Sequence, residues 1–285
     1  RRFNRTVTER IGALHDRYLA RDRPLGASRV LWEVGDAGTD VRALRARLGL
    51  DSGYVSRLLR SLEADGLVTV EASDHDRRVR TARLTAEGRT ERGLLDRRSD
   101  DLARSLVEPL SAGQRDRLVA AMDEVERLLT AGLVEVAEVD PDDPDARHCL
   151  DAYAAELDRR FTAGFDVARS RQVHADEMRL PAGVFVLARL RDRPVGSGAL
   201  RFHEPGPAEI KRLWVDADAR GLGLGRRLLD ALEARAAAHG ATVVQLDTNR
   251  TLTEAIALYR SHGYREVAPF NDEPYADHWF EKALA

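Results

Sequence analysis

The residues best suited to chemistry form the run Arg220-Gly221-Leu222-Gly223-Leu224-Gly225, in which glycines recur at every second position behind an arginine. A backbone without Cβ atoms approaches a ligand closely, and the unbonded amides that open a following helix attract phosphate oxygens through their partial positive charge. Leu228, Leu229, Leu232 and Ala236 give that helix its buried stripe. A pyrophosphate belongs in such a loop. Short glycine turns also serve plain chain reversal, and dinucleotide folds use G-x-G-x-x-G. Here the strand feeding the loop belongs to a meander and opens no βαβ unit with a ribose-binding acid, so a nicotinamide site is disfavoured. A second set of residues carries a different chemistry. Ser52, Gly53, Tyr54, Ser56, Arg57 and Arg60 fall on or near one face of a short helix, and Arg77 and Arg78 follow in a polar turn. Guanidinium groups so placed pair with nucleic-acid phosphates or base edges, although any one of them alone is as readily a solvated surface arginine.

The elements that must hold those arginines are helices and a hairpin. Val7, Ile11, Leu14 and Leu19 recur near helical spacing over residues 3–19, which predicts a first helix. Pro24, Leu25 and Gly26 interrupt the pattern, and Val30, Leu31 and Val34 resume it up to Gly35. Asp40 is positioned to cap a short helix that Gly49 ends, and Ser52 to cap the next one. In that helix Val55, Leu58, Leu59 and Leu62 take the core-facing positions. Gly66 stops it, and residues 67–71 and 78–84 read as two strands around a polar turn. This order resembles the multiple-antibiotic-resistance regulator (MarR) family, whose recognition helix and wing read much like residues 52–68 followed by Asp76, Arg77, Arg78, then Leu84, Thr85 and Gly88. The resemblance implies a winged helix-turn-helix on a double-stranded DNA operator, with the recognition helix in the major groove and a wing arginine in the minor groove. Two more helices are predicted, one capped by Thr85 and one by a Ser111–Gln114 capping box. Leu118, Met122, Val125 and Leu129 in the latter make a heptad-like seam for a partner helix or for the chain's own core. The family resemblance implies dimers built from the first and last helices, so a homodimer on two half-sites is expected.

The second half reads differently. Val134 and Val136 mark a strand, an acidic loop surrounds Pro141 and Pro144, and residues 148–161 read as a helix. Residues 183–189, 195–201 and 209–215 read as the meander that feeds the glycine loop; a strand over 242–247 and a helix over 253–261 follow it. Residues 209–225 resemble the acetyl-CoA motif of the GNAT superfamily of N-acetyltransferases, and Ala255, Ile256, Leu258, Tyr259, Gly263 and Tyr264 match its second motif. That resemblance spans roughly residues 133–283. It implies an α/β fold of the α+β kind with a mixed central sheet, and acetyl-CoA as donor to an amine on a small molecule or peptide. By the same resemblance the amides of Leu222, Gly223, Leu224, Gly225 and Arg226 hold the pyrophosphate behind Arg220 and Gly221. The backbone around Leu213, Trp214 and Val215 meets the pantetheine arm and polarises the thioester. Where many members place an Asn, three residues before the motif's Ala, this chain has Leu252, and Asn249 is the candidate substitute.

Acetyl transfer needs a neutral amine and a proton for the departing thiolate. Tyr259 is the candidate donor, because a phenol of pKa ~10 is protonated at neutral pH; packing inside the core is the competing reading. Glu209 is the first candidate base, against a plain solvated role, with Asp247 and His278 as alternatives. His278 sits in residues 270–280, which resemble the closing loop and strand of a subset of these enzymes.

Length and composition agree with a multidomain chain. At 285 residues, with 43% hydrophobic and 33% charged, it exceeds one ordinary domain, and residues 1–131 and 132–285 are the expected units. The first holds 25 Arg against 22 acids and the second 20 Lys+Arg against 26, giving +3 and −6, a split that fits a nucleic-acid partner for the first half. No apolar run suits a bilayer and no signal-peptide pattern opens the sequence, so a cytoplasmic chain without a membrane partner is expected. Cys149 is alone, which excludes an internal disulfide or a cysteine-rich zinc site; no metal is expected. The reading is a transcriptional regulator carrying an N-acetyltransferase, the alternative being a regulator whose second domain only senses acetyl-CoA.

Overall fold

Side-chain caps and left-handed glycines set many of the helix boundaries. The structure, a computed structural model, describes residues 1–15, 17–72, 80–162, 164–166, 168–170, 174–203 and 206–284. It divides into two units, Arg1–Met122 and Asp123–Ala285, each with its own apolar core.

The first unit contains α1 (Arg2–Arg10), α2 (Leu25–Val34), β1 (Thr39–Asp40), α3 (Val41–Leu48), α4 (Ser52–Ala64), β2 (Val68–Ala72), β3 (Arg80–Leu84) and α5 (Ala86–Val107). The division falls inside α6 (Ala112–Ala131). Asp40 caps α3 by accepting from the amides of Arg42 and Ala43, and Gly49 ends it at φ +63°. Thr85 caps α5 through the Gly88 amide at 2.9 Å. The three strands pair antiparallel in the order β1-β3-β2. Two expectations need correction. The first helix stops at Arg10 rather than Leu19, because Gly12 turns the chain at φ +67°, and it buries no side chain within the chain. The cap of α4 is Asp51, whose Oδ1 accepts from the Tyr54 amide at 2.9 Å, so Ser52 is the first helical residue. An unforeseen clasp holds the stretch after α1: buried Glu91 of α5 accepts from Arg21 Nε and Nη2, both at 2.8 Å, and pairs with Arg23 at 3.3 Å.

The second unit contains β4 (Val134–Glu138), α7 (Pro144–Arg160), β5 (Gly183–Leu190), β6 (Arg193–Phe202), β7 (Ala208–Val215), α8 (Leu224–Ala238), β8 (Val243–Thr248), α9 (Thr253–Ser261), β9 (Arg265–Val267) and β10 (His278–Ala283). The predicted bounds of α9 match; α7 begins four residues before the expected 148. Asp143 caps it, and Pro144 stands at the first helical position, where an absent N–H costs no helical bond. The sheet runs β4-β5-β6-β7-β8-β10-β9, antiparallel except for β7 and β8. That parallel pair holds only at Ala208↔Val244 and Glu209↔Gln245 before the strands part. On its other edge β7 bulges against β6, and Arg212 within the bulge takes φ +57°. Among the described residues no helix is long and apolar enough to cross a membrane.

The start of β5 is closed to any side chain. A Cβ on Gly183 would lie 2.1 Å from the Glu177 carbonyl oxygen and 2.2 Å from that of Leu200. Gly183→Ala is therefore expected to cost about 3 kcal/mol of second-unit stability, lowering its thermal midpoint by roughly 5–10 °C. Circular-dichroism melting checks this, and an unchanged midpoint would contradict the close approach.

Candidate active site

The glycine loop works through its backbone. Gly221 and Gly223 take φ +83° and +74°, and Gly223 serves as N-cap of α8 with no side-chain cap. The first helical bond there is Arg227 N to Gly223 O at 3.2 Å, which leaves the amides of Leu224, Gly225 and Arg226 at an open helix start. A Cβ at Gly223 would meet nothing, so the backbone angle alone demands glycine. At Gly225 the demand is steric: a Cβ would lie 2.8 Å from Leu258 Cδ2 on α9.

The loop borders a cleft of about 560 Å³. Leu213, Trp214, Val215, Arg220, Gly221, Gly223, Leu224, Gly225, Arg226 and Tyr259 all line it. Leu222 packs on the core instead. Asn249 is not brought there. It lines a neighbouring cavity, its Oδ1 accepting from Thr251 N and Oγ1 and its Nδ2 donating to Tyr275 O at 2.7 Å. Arg220 braces the loop against α7. One of its Nη atoms donates to both oxygens of Glu156 at 2.6 Å, and its Nε to Val215 O at 3.3 Å. Glu156 also accepts from Trp214 Nε1 at 2.9 Å. Sequence reading missed Glu156, because its partners lie about sixty residues away and only Arg160, one turn on, was visible locally.

Behind Tyr259 lies a smaller cavity of about 90 Å³. Tyr259 lines both spaces and so stands at their junction. Burial pushes its phenol above its ordinary range, with Tyr153 and Asp247 adding to the effect, so it stays protonated across physiological pH. Glu209, expected as a base on the strand surface, is buried and lines neither space. It lies 2.9 Å from Lys211, 3.2 Å from His203 Nε2, and accepts from Asn271 Nδ2 at 2.9 Å. Burial pushes Glu209 upward, but the charge of Lys211 and the hydrogen bonds from Lys211, His203 and Asn271 outweigh it and leave the carboxyl below its ordinary range. Asp247 does line the smaller cavity, held by Lys211 at 2.5 Å and by Asn271 Nδ2 at 3.0 Å. Lys211 is one of only two lysines among 45 basic residues. Burial presses on its ammonium, yet Asp247 and Glu209 on either side hold it above its ordinary range. His278, the other candidate base, lines neither space and pairs with Glu266 at 2.6 Å. Cys149 is buried, and burial with Asp145 and Asp216 nearby pushes its thiol up to about 12, which keeps it inert.

In the first unit α4 presents Ser52, Gly53, Ser56, Arg57 and Arg60 to solvent on the face opposite Val55, Leu58, Leu59 and Leu62. Tyr54 is half-buried against the core, and the Arg57 guanidinium lies over its ring, 5.7 Å from the centroid. Among the described residues neither Arg57 nor Arg60 meets a carboxylate. Arg77 and Arg78 lie outside the described residues.

Residues 150–264 match the acetyltransferase (GNAT) family and residues 22–79 match the MarR family. An "IAA acetyltransferase" of Azospirillum brasilense is 35% identical over 121 residues, covering 42% of this chain and 78% of that protein. A mycothiol acetyltransferase of Geodermatophilus obscurus is 39% identical over 94 residues, which is 31% of this chain and 30% of that one. Among solved structures, an aminoglycoside 6'-N-acetyltransferase complexed with coenzyme A aligns with 19% identity over 53% of this chain and 97% of its own, at a TM-score of 0.41.

The buried triad has a definite pH signature. Glu209 sits below its ordinary 4.5, so its contribution to stability is present above that value and lost as pH falls through the lower folded one. Lys211 sits above its ordinary 10.5, so its contribution is present below that value and lost as pH rises through the folded one. Lys211→Met leaves two buried carboxylates facing each other, with an expected loss of about 3–5 kcal/mol at pH 7. Because protonating Glu209 removes the repulsion, the deficit should narrow on acidification; urea melts at several pH values that show a constant deficit would contradict the arrangement.

Proposed function

This chain belongs to the acetyltransferase (GNAT) family and carries a MarR-type domain ahead of it, and from that premise we propose a bifunctional protein that binds operator DNA and acetylates an amine. Acetyl-CoA supplies an activated acetyl group: the amine nitrogen bonds to its carbonyl carbon, the C–S bond breaks, and N-acetylamine and coenzyme A leave. The observation that carries the reading is Tyr259, which lines both the large cleft and the small cavity. The amides of Leu224, Gly225 and Arg226 bind the pyrophosphate at the open start of α8. The edge of β7 that β8 has left, at Leu213–Val215, offers backbone donors to the thioester oxygen. Tyr259 gives its proton to the departing sulfur. Asp247, rather than the enclosed Glu209, meets the acceptor ammonium. The proton that the ammonium loses passes to Asp247 and from it to water in the open cavity, while Lys211, held between Asp247 and Glu209, fixes the Asp247 carboxylate in place.

In the first unit Arg57 and Arg60, which meet no carboxylate among the described residues, lie on the exposed face of α4 and support contact with DNA. The heptad-spaced Leu118, Met122, Val125 and Leu129 of α6 are exposed, as are Phe3 and Val7 on α1, which supports a homodimer through these helices.

Two measurements test the two halves. Tyr259→Phe keeps the ring and deletes the acid, so kcat should fall ~10²–10⁴-fold while acetyl-CoA affinity by calorimetry hardly changes. Wild-type turnover in this variant would remove the acid role, and an absence of turnover in the parent protein would favour a sensor. Arg57→Ala should weaken binding to a selected double-stranded site by ~10–100-fold in fluorescence anisotropy, with a shallower salt dependence; unchanged affinity at matched salt would take Arg57 out of the interface.

A further inference from the structure

The small cavity carries more information about the acceptor than its position beside Tyr259. One wall is aromatic: Phe161, Phe165 and Tyr275 pack with ring centroids 5.0–5.7 Å apart. Of the charged side chains that line it, Lys211 is held by Asp247 and Glu209, and Glu273 accepts from Ser170 Oγ and the Tyr275 amide. Arg212 differs. It is half-buried, lines this cavity and not the coenzyme cleft, and has no carboxylate partner among the described residues. Its guanidinium lies over the Tyr153 ring, 5.5 Å from the centroid, and its backbone is held at φ +57°, a left-handed conformation costly for an arginine. A partly desolvated guanidinium without a counter-charge is a standing cost that a bidentate carboxylate removes.

We propose that the acceptor is a free amino acid with an apolar or aromatic side chain, its carboxylate held by Arg212 and its side chain against Phe161, Phe165 and Tyr275. The inference rests on the acetyl-transfer reading above. The amine then lies between Asp247 and Tyr259.

The test compares phenylalanine, leucine and methionine with their carboxamides, and phenylalanine with phenethylamine, as acceptors for acetyl-CoA. The parent protein should prefer the free acids by ~10²-fold or more in kcat/KM. Arg212→Gln should bring that ratio to within a few-fold of one, Arg212→Lys should retain part of it, and calorimetric binding of acetyl-CoA shows that each variant is folded. Equal rates on acids and carboxamides in the parent protein, which need no variant, would overturn the proposal while leaving acetyl transfer standing; so would an undiminished preference in Arg212→Gln. Acetylation of none of these amines, nor of peptide or polyamine controls, with acetyl-CoA bound would overturn the acetyl-transfer reading itself.

Discussion

The second unit depends on a parallel strand pair that fails on purpose. β7 and β8 register at two positions and then separate, although a strand deprived of its neighbour leaves N–H and C=O groups that a folded chain normally must satisfy. On the opposite edge β7 carries a bulge, with Arg212 in the left-handed region, and a bulge bends the strand that holds it. The glycine loop, α7 and α9 converge on the freed edge of β7, so the cleft brings Leu213–Val215 and Tyr259 to one space.

Filling the gap's deep end with charge required a different solution. Two carboxylates from adjacent strands and an ammonium between them are nearly out of water, a grouping that is unfavourable unless every member is paired. Lysine suits this place better than the arginine used elsewhere in the chain, because a compact ammonium fits between two single carboxylate oxygens whereas a planar fork asks for two oxygens of one. Asn271 completes the arrangement by donating to both acids, and Trp279 fixes its orientation through Nε1 at 2.9 Å from Asn271 Oδ1. The C-terminal segment is thereby part of the site.

What was legible in the sequence was local. Asp40, Gly49, Thr85 and the Ser111–Gln114 box announce helix ends through contacts within four residues, and the structure has each of them. The glycine loop was readable because positive φ and an open helix start leave a residue-type signature. Ser52 was misread because Asp51 beside it is an equally good cap, and α7 because Pro144 reads as a loop residue unless it is seen as a helix opener. The character of Glu209 could not be read at all. Nothing in the strand pattern says that Asn271, sixty-two residues away, closes over it. Glu156 was hidden for the same reason, since its partners Trp214 and Arg220 come to it only through the sheet.

The contact of Gly225 with Leu258 joins the first turn of α8 to the helix that bears Tyr259 in the very next position. A larger residue at 225 obliges the Leu258 side chain to shift or to shorten, so changes at the two places are coupled. Such paired histories should be visible as correlated changes among relatives, with small residues at one position accompanying bulky ones at the other. A lineage that kept the glycine would remain free to remodel the acceptor side of the domain while inheriting its way of gripping the coenzyme unchanged.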